Sequence, residues 1–212
     1  MTLPNAHKGV KKVFIAEILQ IIGTALMIFG FVSVIGGAQA YTEGGADAAV
    51  GAIAMGGMFT LVATCLAIVA LVLNLVGLKQ ASKDEPDRMG KAFMCAVITL
   101  ILSVIVAICQ NMNWGAAGFF NVLTSLAQMC TIIFTIMGVS EVTQNIARED
   151  VADMGPKILV ISVIAIVASI IAGIVGNVIG GVAAIIALVL MIVAYLVFIV
   201  FLGRASSALA KG

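Results

Sequence analysis

All eleven Lys and Arg residues of this chain fall into four short groups, and long apolar blocks separate the groups. Lys8, Lys11 and Lys12 form the first. Lys79, Lys83, Arg88 and Lys91 form the second, Arg148 and Lys157 the third, and Arg204 and Lys211 the last. A cation at the centre of a bilayer costs at least ~2.5 kcal/mol, so clustering of this kind marks where a chain leaves hydrocarbon. Each block between groups is long enough to cross a bilayer twice, at about 20 apolar residues per crossing. Basic loops stay in the cytoplasm. The pattern therefore predicts six spans, with all four basic groups on one side.

Composition agrees. The 212 residues are 63% hydrophobic and 10% charged, against roughly 25% charged in a soluble domain. The net charge of +1 offers no basic field for nucleic acid. The expected fold is an all-α integral membrane protein, one membrane domain over 1–212, with helices at 11–36, 52–77, 91–111, 118–140, 157–176 and 181–204. The outer loops, 37–51, 111–117 and 176–181, contain Glu43 and Asp47 but no Lys or Arg. Both termini are expected in the cytoplasm and the whole protein in the plasma membrane. The first apolar run, 13–35, is longer than the roughly 7–15 residues of a signal-peptide core, so it reads as a span despite the Ala38-Gln39-Ala40 sequence beyond it.

The spans also look related. One proline precedes each odd span, Pro4, Pro86 and Pro156, where the missing N–H costs a helix little. Odd spans open alike (Lys12 to Phe14, Lys91 to Phe93, Lys157 to Leu159), and even spans close on Gly77, Gly138 or Gly203. Three αα-hairpin repeats, about 8–78, 86–140 and 155–204, are the expected organisation. Two-span repeats keep one orientation and would be related by an axis along the membrane normal.

Polar residues within the spans are the candidate site. Asn121, Thr124, Gln128, Thr131 and Thr135 recur at helical spacing on one narrow face. Gln128 lies near the midplane, where an amide facing lipid leaves its groups unpaired at a cost of several kcal/mol. Twelve residues in from each repeat's lysine stand Thr24, Ser103 and Ser169, roughly 18 Å deep at 1.5 Å per residue. Glu17 is the one acid inside a span; intramembrane carboxylates are functional candidates, although this one is only about 7 Å past Lys12. Ser and Thr also bond their own helix backbone, so the same stripes suit glue between helices.

The spans lack the Ser/His, paired Asp or H-E-x-x-H sets of intramembrane hydrolases, and no enzymatic activity or cofactor is expected. The single His7 and four scattered cysteines argue against a zinc site; Cys109, nearest the outer face, is the one candidate for a disulfide or a reactive thiol. The expected function is handling of a small neutral solute, as a facilitator, channel or substrate-binding transport subunit. Gln128, Thr124, Thr131, Thr135, Thr24, Ser103, Ser169 and Glu17 would line its path. The competing expectation is a homo-oligomeric membrane scaffold with cytoplasmic docking loops. Expected partners are the bilayer, further copies of the chain or a cytoplasmic protein, and not nucleic acid.

Overall fold

The computed structural model describes residues 3–42, 46–112, 114–146, 148–165 and 181–211. No strand occurs among them. The helices are α1 (Pro4–Thr42), α2 (Ala46–Ala81), α3 (Arg88–Asn111), α4 (Ala117–Asn145), the single-turn α5 (Glu149–Ala152), α6 (described over 154–165) and α7 (Gly181–Lys211). Five described segments are long and apolar enough to cross a bilayer: Pro4–Gln39, Ala49–Ala81, Arg88–Asn111, Ala117–Asn145 and Val189–Ala210. The chain is thus a helical membrane protein. The expected span over 157–176 lies partly outside the described residues, and its described part is helical.

The helices overrun the expected boundaries. The outer loop expected over 37–51 is a correction: α1 continues to Thr42 and α2 begins at Ala46. At 1.5 Å per residue, α1 is about 58 Å long, against about 30 Å of hydrocarbon. Its 39 residues continue as helix because small residues keep meeting across the two helices, as far as Gly37 against Ala49.

By its internal contacts the chain forms two compact units, residues 15–74 and residues 1–14 with 75–212. The second, larger unit holds the apolar core. Phe201, Leu78, Met89, Ile136, Ile158, Leu202 and Val10 are its largest fully buried members, and Thr143 is fully buried as well. These positions lie at the Lys- and Arg-bearing ends of the helices. The placement has a physical cause. Lipid is as apolar as a leucine side chain, so no hydrophobic force gathers side chains at mid-span; burial is rewarded where the helices meet water.

Two adjacent acids in the α2–α3 connection organise that end. Asp84 Oδ2 accepts the N–H groups of Asn5 (2.9 Å) and Ala6 (2.8 Å), and Oδ1 accepts Asn5 Nδ2 at 2.8 Å. Glu85, itself buried, accepts the N–H groups of Arg88 (3.0 and 2.9 Å) and Met89 (2.6 Å). Each carboxylate thus satisfies orphan donors at the start of a different helix, α1 and α3, where the helix dipole also favours negative charge. Lys12 Nζ donates to Gln80 Oε1 at 2.7 Å and ties α1 to the end of α2. Further along, Ser140 Oγ donates to Ala152 O at 2.7 Å, fixing α5 against α4.

Candidate functional site

In the unit of residues 15–74, α1 and α2 meet through small residues spaced by seven. Ala16, Gly23, Gly30 and Gly37 of α1 are buried, as are Ala49, Gly56, Ala63 and Ala70 of α2. A seven-residue period keeps one seam of a helix facing its partner in an antiparallel or parallel coil. The approach is closest at Gly30, where a Cβ would stand 2.9 Å from the Gly56 carbonyl oxygen. At Gly56 it would stand 2.7 Å from the Gly30 oxygen. The same spacing continues in the other unit, where a Cβ on Gly9 would meet the Gly77 oxygen at 2.6 Å. Close backbones leave larger side chains standing along the flanks of the seam.

One flank of the 15–74 unit encloses a groove of about 650 Å³. Gln20, Thr24 and Asn74 supply its polar groups, with Met27, Phe31 and Leu71 among its apolar walls. Glu17, only 8% exposed, stands beside it and accepts a hydrogen bond from Asn74 Nδ2 at 3.2 Å. Asn74 Oδ1 is buried and accepts no hydrogen bond among the described residues. The groove therefore combines amide and hydroxyl groups with a nearby carboxylate in otherwise apolar surroundings. Of the sequence-derived site residues, Thr24 and Glu17 belong here. Gln20 of α1 and Asn74 of α2 join them without being among the residues expected from the sequence.

The α4 face belongs to the other unit. Its end near the core is enclosed: Thr135 is buried and its hydroxyl donates to Thr131 O at 2.7 Å. Thr131 donates to Ala127 O at 2.9 Å, and Thr124 to Phe120 O at 2.8 Å. These three hydroxyls are satisfied within their own helix. Gln128 and Asn121, on the same face, are exposed on the surface of the single chain. Ser103 of α3 is exposed as well, and donates to Thr99 O at 2.8 Å. Ser169 lies outside the described residues. Neither pocket-lining set described for this chain includes a residue of α4.

Antiparallel packing of α3 on α4 places Gly138 against Met89, where a Cβ would stand 2.9 Å from the Met89 side chain. The Cys95 and Cys130 side chains lie near each other along the same interface. Cys109 is fully buried, which removes it as an accessible thiol. Trp114 and Phe119 are exposed near the far end of the α3–α4 pair, and Phe119 meets Phe120 edge to face at 5.6 Å and 71°. Exposed aromatics there suit a membrane interface.

Compared with known proteins, the chain matches no family model, no curated protein and no solved structure.

Proposed function

We propose that this chain is a six-span plasma-membrane protein, both termini cytoplasmic, that assembles with further copies of itself through the polar face of α4. The observation that carries the reading is the exposure of Gln128 on one chain. A primary amide in contact with acyl chains leaves two donors and an acceptor unpaired, at several kcal/mol. A second copy lowers that cost. An amide both donates and accepts, so the same side chain on two subunits pairs reciprocally across a symmetry axis, one N–H and the carbonyl of each being satisfied. The bonded hydroxyls of Thr124, Thr131 and Thr135 make no such demand. In this role the protein is a membrane scaffold or assembly component, its basic connections facing the cytoplasm.

The test is the mass of the full chain in lipid nanodiscs, measured by native mass spectrometry. The wild type is expected as an oligomer. Gln128→Leu is expected to shift it towards monomer by about tenfold, while circular dichroism stays unchanged. An oligomer that survives the substitution, or a monomeric wild type, rejects the reading.

The 650 Å³ groove beside Glu17 favours a second reading, passage or binding of a small neutral solute along Gln20 and Thr24. Liposomes containing the protein would then swell in glycerol or urea. Thr24→Leu would abolish that flux without changing the oligomer. Equal swelling with and without protein excludes it.

A further inference from the structure

A second pocket, about 610 Å³, opens in the larger unit at the basic end of α7. Arg148 lines it from the connection before α5 and Asp150 from α5 itself, and Gly203, Arg204 and Ser207 from α7. Phe14 closes one side, and a Cβ at Gly203 would stand 3.2 Å from its ring. Glycine at 203 thus lets the aromatic ring form a wall of the pocket.

Among the described residues, no ion pair consumes the positive charge of the pocket. The ion pairs found among the described residues are Arg88 with Glu141 and Lys91 with Asp87. Arg148 is in neither, and Arg204 Nη1 reaches only the Met154 sulfur, at 3.6 Å. A thioether is a weak acceptor. Two guanidinium groups and the one carboxylate of Asp150 leave a single net positive charge, the complement of one phosphodiester. Guanidinium also matches phosphate in geometry, presenting parallel donors to two oxygens.

The walls show where that phosphate comes from. Val200 and Ile199 line the pocket one turn before Arg204. From Val200 an exposed apolar row, Leu196, Val193 and Val189, runs back along α7 at steps of three or four residues, which is one side of a helix. A soluble phosphate compound has no use for such a row, whereas a lipid acyl chain follows it. Basic pockets at the cytoplasmic ends of spanning helices are suited to lipid headgroups.

We propose that Arg148 and Arg204 form a binding site for the phosphodiester headgroup of an anionic glycerophospholipid, with an acyl chain lying along Val200, Leu196, Val193 and Val189. Asp150 sets the selectivity by cancelling one of the two positive charges.

Native mass spectrometry of the full chain, titrated with phosphatidylglycerol or phosphatidylcholine, tests this. Phosphatidylglycerol is expected to remain bound at least tenfold more tightly than phosphatidylcholine. The Arg148→Gln/Arg204→Gln double variant is expected to lose that preference, and Asp150→Asn to raise phosphatidylglycerol binding severalfold. Glycerol 3-phosphate at millimolar concentration is expected not to compete. Equal retention of the two lipids overturns the site, as does a preference that survives in the double variant. Effective competition by glycerol 3-phosphate overturns the lipid assignment. If the double variant does not fold, an unchanged Asp150→Asn variant overturns the proposal and a tightened one upholds it.

Discussion

Gly30 and Gly57 are both helical glycines in an apolar stretch, and the structure separates them. A methyl group on Gly30 would collide with the Gly56 carbonyl and the Thr60 hydroxyl, each 2.9 Å away. On Gly57 it would meet nothing within 4 Å. Gly30→Ala is therefore expected to cost about 1–3 kcal/mol through overpacking. Gly57→Ala should leave stability unchanged or raise it by up to about 1 kcal/mol, the helix propensity gained. Unfolding of the full chain in mixed detergent micelles, followed by circular dichroism, measures both; equal effects would refute the close-packed seam. Gly23 is intermediate, its nearest neighbour being the Ala63 oxygen at 3.4 Å. The seam was legible in the sequence: small residues stand at 9, 16, 23, 30 and 37 and again at 49, 56, 63, 70 and 77. A reading directed at polar groups passes over it, because Gly and Ala count as apolar filler unless their own period is tested. The polar stripe of α4 was legible as a face, but periodicity alone does not say what covers a face.

At the scale of helices and connections, charge served two ends. The second basic group brackets the α2–α3 connection, since α2 ends at Ala81, just beyond Lys79, and α3 starts at Arg88. Asp84 and Glu85 look in the sequence like ordinary acids diluting a basic loop. Folded, they hold the first N–H groups of α1 and α3, a partnership 79 residues apart for Asn5 that no local motif encodes. Removing a capping side chain typically costs about 0.5–2 kcal/mol. Asp84→Ala is expected to cost about 1 kcal/mol, and Glu85→Ala more, because the Met89 N–H that it satisfies is buried with it and would be left unpaired. Hydrogen exchange locates the effect: the amides of Asn5 and Ala6 should exchange faster in the first variant, those of Arg88 and Met89 in the second. Faster exchange spread evenly over the helices would mean that the acids act only through general stability.

For the molecule as a whole, the solvent decides where packing matters. Side chains at mid-span face outward in large numbers, while the apolar core of the larger unit gathers where the basic residues stand. A chain folded in water would show the reverse distribution, with its core remote from the charged ends. Truncation should expose the difference. Phe201 is 0% exposed within the core, and Phe201→Ala is expected to cost about 3–5 kcal/mol, the transfer and cavity terms together. Met94, of comparable size, is 65% exposed on α3. Met94→Ala only exchanges contact with one hydrocarbon for contact with another, so its cost should stay within about 0.5 kcal/mol. Both substitutions lie in the larger unit, so one unfolding experiment compares them directly. Similar losses would mean that the Met94 side chain is held by protein rather than lipid. In that case Met94 lies in a subunit interface, and the assembly face extends from α4 onto α3.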